Sequence, residues 1–126
     1  MSNFDFLKQN KIFNNFSESC IEAENGIGLN TVTCSILCRR ALELGVKWLY
    51  ANDNDLTIPY QDNLSALVHD ITFKNIIDEK LLKQIEYIIK LGNFAVHNNK
   101  KISREEAILS LKYLYNFFVW VQYDDF

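Results

Sequence analysis

The sequence has few of the residues that form turns, with four glycines and one proline among 126 residues. This scarcity excludes a domain of many short strands and favours a few long helices. Cysteine is scarce too, with three residues and so no complete disulfide framework. Residues 1–6 lack the basic stretch and apolar run of a secretory signal. Reduced thiols in a cytoplasmic protein are therefore expected.

Long apolar runs and familiar catalytic motifs are also missing. No run approaches the roughly 18 apolar residues of a membrane span, so no membrane partner is expected. The sequence has no phosphate-cradling glycine loop, nucleophile elbow or paired catalytic carboxylates. Cys34 and Cys38 are four residues apart, but a closed zinc site needs about four ligands. We interpret both as buried core thiols and expect no metal site.

An excess of positive over negative charge occurs in only one part of the chain, although the net charge is −3. Residues 74–104 carry seven Lys/Arg against three Asp/Glu, whereas residues 1–73 and 105–126 carry more acids than bases. The basic stretch is either a set of solvated helix faces or a weak patch for phosphate or an acidic partner. The candidate nucleic-acid contacts are Lys83, Lys90, Lys100, Lys101 and Arg104.

Hydrophobic residues make up 48% of the chain, enough for the core of a single domain. Apolar residues spaced three and four apart predict helices. Gly26 and Gly28 are expected to end the first helix as C-cap glycines. The other predicted elements are a second helix from Asn30 or Thr31 to the loop 52–55, a short helix over 62–69, a helical turn over 70–77, a long helix capped by Asp78, and a last helix over 103–122 that opens with a Ser103–Glu106 capping box.

Gly92 falls inside the long helix, where glycine costs about 1 kcal/mol relative to alanine. A glycine there predicts that a neighbouring helix comes close or that a side chain lies over it. Asn93 and His97 are four residues apart and share a helix face. Hydrogen bonds that hold two helices together are the favoured interpretation, and phosphate binding or proton transfer is the alternative.

Two further sets of residues stand out. Arg39 and Glu43 are four apart and are expected to form a structural ion pair. The second half of the last helix is apolar on nearly every side, which is typical of a buried helix or of a partner surface. Phe117 and Trp120 are the candidate interface residues.

Several elements together resemble a known family over nearly the whole chain. The sequence is similar to the helical domain at the N terminus of type I restriction enzyme R subunits (HsdR-like proteins). The elements are Arg39-Arg40-Ala41-Leu42-Glu43, Trp48-Leu49-Tyr50, Leu56-x-x-Pro59-Tyr60-x-x-Asn63-Leu64-x-x-Leu67 and Lys90-Leu91-Gly92-Asn93-x-Ala95-Val96-His97.

The resemblance implies an all-α, compact, HEPN-like bundle of about five helices. It implies that residues 1–126 are one domain, the N-terminal fragment of a longer restriction subunit. The parent would be an ATP-dependent DNA endonuclease and translocase that uses ATP and Mg²⁺. This chain would be its non-catalytic binding or assembly module, without a cofactor of its own. Its partners would be other domains or subunits of the restriction complex, with DNA as a further contact.

The domain also resembles the HEPN superfamily, many members of which are metal-independent ribonucleases and pair as dimers. Their catalytic pattern is an Arg, a polar residue and, four to six residues later, a His on the same helix. His97 matches the His, but residues 88–93 ahead of it contain no Arg, and Lys90 is the nearby cation. Lysine lacks the fork that clamps a phosphate in two places. His97, Asn93 and Lys90 are therefore weak catalytic candidates.

Overall fold

The computed structural model describes residues 2–9, 11, 13–97 and 101–123. These residues form a helical bundle and contain no strand, which confirms the predicted fold class. A short 3₁₀ helix, Asp5–Gln9, precedes six α-helices. The α-helices are α1 (Asn14–Gly26), α2 (Thr31–Asn52), α3 (Leu64–His69), α4 (Ile71–Ile76), α5 (Glu79–His97) and α6 (Arg104–Gln122).

Polar side chains cap the starts of five helices, as the sequence predicts for α2, α5 and α6. The Asn30 side chain accepts a hydrogen bond from the Thr33 amide at 2.7 Å and starts α2. Ser103 and Glu106 form the predicted capping box of α6. Such caps satisfy amides that have no partner inside the helix. The caps of α3, α4 and α5 are Asn63, Asp70 and Asp78.

Two local predictions need correction. Residues 70–77 were expected to form one helical turn, but the Asp70 cap lets Ile71–Ile76 form a separate helix, which brings the number to six. Gly26 ends α1, yet no described glycine has a positive φ, so it is not a left-handed C-cap. A Cβ on Gly26 would lie 3.1 Å from the Cα of Cys34, so this glycine allows the close approach of α2.

Helix α2 lies at the centre of the bundle and packs against α1, α5 and α6. Phe13 in the lead to α1 packs on Trp48 near the end of α2, so these two helices run antiparallel. The Thr31 hydroxyl donates to the Ile102 carbonyl at 2.6 Å, which places the starts of α2 and α6 together. The arrangement leaves α5 antiparallel to α2, with its C-terminal half beside the first half of α2.

The core extends through the whole bundle and includes the second half of α6. Phe117 and Phe118 are fully buried and lie against Gly45 of α2, where a Cβ would be 2.7 Å from the Phe117 ring. The sequence predicts that the apolar second half of α6 is either a buried helix or a partner surface. Phe117 and Phe118 agree with the buried helix. Within the described parts of the chain, we find no helix with the length and hydropathy of a membrane span.

Candidate functional site

The two polar motifs of the sequence meet where α2 crosses α5. Gly92 is buried in α5, and the Arg39 side chain of α2 lies over it. A Cβ on Gly92 would lie 2.6 Å from the Arg39 Cβ and 2.7 Å from its Cδ. Carbon atoms in contact need about 3.5–4.0 Å. Only glycine therefore leaves room for Arg39, and the predicted side chain over Gly92 is confirmed.

The Arg39 guanidinium is unusual in its hydrogen bonding. Its Nε is buried and has no hydrogen-bond partner. The residue as a whole is partly exposed, so the outer nitrogens can reach a ligand at the surface. An unpaired buried donor costs stability, about 1–3 kcal/mol when fully desolvated. Because the Nε is inaccessible, an anion at the surface would bind the outer nitrogens of this guanidinium.

The predicted ion pair between Arg39 and Glu43 is not formed. Glu43 instead pairs with Lys47, with 3.4 Å between Oε2 and Nζ. Both pairings have the four-residue spacing, but Glu before Lys is the favoured order on a helix. The Arg39 stem is directed across Gly92 towards α5 and is therefore not available to its own helix.

Asn93 and His97 occupy the outward face of α5, together with Lys90. All three side chains are exposed. Asn93 follows Gly92 directly, and His97 lies roughly 6 Å beyond Asn93 along the helix axis. Neither Asn93 nor His97 makes a hydrogen bond to another helix among the described residues. The structure thus does not support the prediction that they hold helices together, because both side chains face solvent.

The other predicted cations do not form one compact patch. Lys83 lies near Glu79, with 3.8 Å between their charged atoms, and is exposed. Lys101 and Arg104 are exposed around the start of α6, where Glu105 and Glu106 follow directly. Lys100 lies outside the described residues. The basic character is therefore dispersed and partly offset by neighbouring carboxylates.

The two aromatic interface candidates on α6 differ in their exposure to solvent. Phe117 was expected at an interface, but it is 0% exposed, so it cannot form a surface. Trp120 is half-buried, and its ring lies 6.3 Å from that of Phe73 and 6.0 Å from that of Phe117. Its free edge lines a shallow groove of about 270 Å³ together with Leu81 and Val119.

The three thiols are part of the core. Cys20, Cys34 and Cys38 are fully buried and unpaired as disulfides, as predicted. Burial raises the pKa of Cys20 well above its usual value. The hydrogen bond between the other two thiols raises the pKa of Cys38 and lowers that of Cys34. No group of three metal-ligating side chains occurs in the described part of the chain.

A family model described as a domain of unknown function, DUF4145, matches residues 22–123. The chain belongs to this family. No curated protein and no solved structure matches the sequence. The matched residues of this DUF4145 domain include all six α-helices except the start of α1, and so they include both sides of the Arg39–Gly92 crossing.

Sequence reasoning selected Arg39 and Gly92 in this DUF4145 domain but did not join them. A mid-helix glycine indicates that a neighbour comes close, yet nothing local identifies the neighbour. It also missed the apolar residues that remain at the surface between α2 and α4. Ile58 and Ile71 are 62% and 66% exposed, and Tyr60 is fully exposed. The sequence does set this segment apart by its charge, because residues 51–73 contain aspartates but no Lys or Arg.

Proposed function

We propose that this chain is a non-catalytic binding or assembly module of a type I restriction enzyme R subunit. The restriction system rests on the sequence elements that resemble HsdR-like proteins, and membership of the DUF4145 family neither adds to it nor argues against it. The observation that supports a docking role is the half-buried Trp120 beside a groove lined by Leu81 and Val119, with the polar Asp78, Lys80, Gln84 and Asn116 around them. Partly exposed tryptophans are frequent anchors of protein interfaces.

The groove has the features of a docking site for a protein. Its walls come from two helices, with Leu81 and Gln84 on α5 and Val119 and Trp120 on α6. The inner face of the tryptophan is held by the rings of Phe73 and Phe117, so its position is fixed before a partner binds. A rigid aromatic anchor loses little conformational entropy on binding.

The test is Trp120→Glu in the full-length subunit, with assembly measured by size-exclusion chromatography with the other subunits. We expect loss of assembly, since a charge would be placed in an apolar contact. Tyr123→Glu is the matched control, because Tyr123 is an exposed aromatic at the end of the same helix. Gln84→Lys alters the groove from α5 without touching the core. Normal assembly by both folded groove variants would contradict the proposal.

A second candidate function, contact with a nucleic-acid phosphate, is favoured by Arg39, which is partly exposed and forms no ion pair among the described residues. Arg39 reaches α5 at Gly92, on the same helix as His97, so α2 supplies an arginine that α5 itself lacks. The exposed Lys90 and Lys101 would add electrostatic attraction. This function predicts binding of RNA or DNA that weakens steeply with salt.

Arg39→Met separates this role from packing, since methionine keeps an aliphatic stem over Gly92 and removes the guanidinium. Binding by the wild type that is lost in Arg39→Met and reduced in Lys101→Gln would support the second function. Absence of binding at low salt would exclude it. If RNA is also cleaved, comparison with His97→Ala decides whether His97 acts in cleavage, because identical cleavage by both proteins would indicate a contaminant.

A further inference from the structure

Residues 53–73, which we call the acidic segment, form a surface unlike the rest of the molecule. The segment carries four aspartates and no lysine or arginine. It also carries three of the eight large apolar side chains that are most exposed among the described residues. Exposed apolar residues that occur singly need no explanation, but a concentration of them marks an interaction site. The three are Ile58, Tyr60 and Ile71.

One hydrogen bond within the acidic segment brings Ile58 and Ile71 into the same region of the surface. The Thr57 amide donates to the Thr72 hydroxyl oxygen at 3.2 Å, which joins the connection after α2 to the start of α4. Ile58 and Ile71 are the sequence neighbours of these two threonines. Given the 3.8 Å spacing of successive Cα atoms, the Cα atoms of the two isoleucines lie within about 15 Å of each other. Tyr60 follows Ile58 after Pro59, whose ring restricts the backbone between them.

The backbone of the segment is held in position by bonds to the bundle. The Tyr50 hydroxyl donates to the Leu67 carbonyl at 2.7 Å in the core. The Asp53 side chain accepts from the Asp55 amide at 2.8 Å, and Leu56 is buried. The exposed apolar side chains are therefore presented on an ordered support, which lowers the entropic cost of binding.

The charge of the segment determines what kind of partner fits. Asp55 and Asp62 are exposed and Asp70 is partly exposed at the cap of α4, whereas Asp53 is buried; the exposed Lys74 follows the segment directly. Nucleic acids and anionic membranes would be repelled by this surface. A protein segment that combines apolar side chains with lysines or arginines would fill the apolar centre and pair with the acidic rim.

We propose that the acidic segment is a docking surface for a basic, amphipathic segment of a partner protein. The contact goes beyond the assembly role proposed for Trp120 and uses none of the groove residues. A variant that blocks one surface should leave the other intact, so the failure of either proposal can be recognised separately.

The probe for the test is a fluorescent amphipathic helical peptide of leucine, alanine and lysine, with a matched peptide in which glutamate replaces every lysine. Fluorescence anisotropy measures binding to the full chain. We expect the lysine peptide to bind, the glutamate peptide not to bind, and added salt to weaken the complex. No binding of the lysine peptide, or equal binding of both peptides, would overturn the proposal.

Variants then locate the contact. Tyr60→Ser combined with Ile71→Ser should weaken binding about tenfold or more, because it removes the apolar centre. Asp55→Asn combined with Asp62→Asn should weaken binding and flatten its salt dependence. Leu29→Ser is the matched control, since Leu29 is a similarly exposed apolar residue in the turn between α1 and α2. Undiminished binding by the Tyr60 and Ile71 variant would contradict the proposal.

A map of amide chemical shifts provides a readout that does not depend on a variant folding. On addition of the lysine peptide, the shifts should change within residues 55–73. Changes centred on α6 or on the C-terminal half of α5 would place the peptide elsewhere and overturn the assignment. Association of two copies of the chain through this surface, seen as a rise in mass without peptide, would identify a different occupant and also overturn it.

Discussion

Two glycines in the middle of long helices, Gly45 in α2 and Gly92 in α5, lie under side chains from neighbouring helices. Each costs about 1 kcal/mol relative to alanine as a helix residue, and at each a Cβ would be closer than 3 Å to its neighbour. The neighbours differ in kind. Gly45 faces the buried rings of Phe117 and Phe118, whereas Gly92 faces the stem of Arg39.

The two glycines differ in role: Gly45 allows close packing of the core, and Gly92 positions a charged side chain. At Gly45 both partners are apolar and inaccessible, so the glycine serves the density of the core. At Gly92 the partner ends in a guanidinium whose Nε is buried and unpaired, an arrangement that packing alone does not favour. A mid-helix glycine thus allows close packing of core rings at one crossing, and at the other it lets the stem of a charged side chain pass over a buried position of α5.

The largest effect is expected at the core crossing. Gly45→Val should lower the free energy of unfolding by about 3 kcal/mol, because the added carbons would collide with a ring that has no room to move. Urea denaturation followed by circular dichroism measures the change. Ala51→Val, at an exposed position of the same helix, is the control and should cost less than about 0.5 kcal/mol. Equal losses in the two variants would show that Gly45 is not a packing requirement.

A smaller loss is expected at the polar crossing. Gly92→Ala should lower the free energy of unfolding by about 1 kcal/mol, since the collision with Arg39 outweighs the gain in helix propensity. The Arg39 Cβ is fixed to its backbone and cannot rotate away. Urea denaturation also measures whether the free energy of unfolding of this variant falls or rises. A gain of about 1 kcal/mol, as for an unobstructed Gly to Ala change, would show that the crossing is loose.

Replacement of the guanidinium should have the opposite sign. Arg39→Met keeps an aliphatic stem over Gly92 and removes the unpaired Nε, so the free energy of unfolding should stay the same or rise by up to about 1 kcal/mol. Arg39→Ala, which also removes the stem, should be less stable than Arg39→Met. If the methionine variant loses as much stability as the alanine variant, the guanidinium stabilises the fold, and the contrast between the two crossings disappears.

The smallest effect concerns the thiols of α2, which lie before Gly45. Cys34 and Cys38 are fully buried, and the pKa of Cys38 is raised by its hydrogen bond to Cys34 and by burial. A thiol reagent at pH 8 should therefore label the native protein only as fast as it opens. Rapid labelling of Cys34 or Cys38 without denaturant, located by mass spectrometry so that Cys20 of α1 is counted separately, would mean that α2 opens locally near one of its two crossings.

Much of the fold could be predicted because its signals are local. Asn30 and Ser103 cap their helices with amides three residues away, so a short stretch of sequence contains both partners. Asp70 starts a helix of six residues where the sequence predicts a helical turn. Residues that share one face of a helix can be identified from their spacing alone.

The site could be predicted only in part, because its contacts join distant parts of the chain. Arg39 has a suitable partner in Glu43 by spacing, but the position of α5 directs its stem to Gly92 instead. Phe117 and Trp120 are three residues apart on one helix, and only the packing of α2 and α4 decides which is covered. The exposure of Tyr60 likewise follows from tertiary packing and cannot be derived from its hydrophobicity.

The most direct test moves the glycine of the polar crossing from α5 to α2. In a double-mutant cycle of Gly92→Ala and Arg39→Gly, the second change removes every atom with which the new methyl group would collide. We expect the double variant to have a free energy of unfolding at least about 1 kcal/mol higher than the summed changes of the two single variants would give. Additivity within about 0.5 kcal/mol would contradict the claim that Gly92 exists to let Arg39 cross α5.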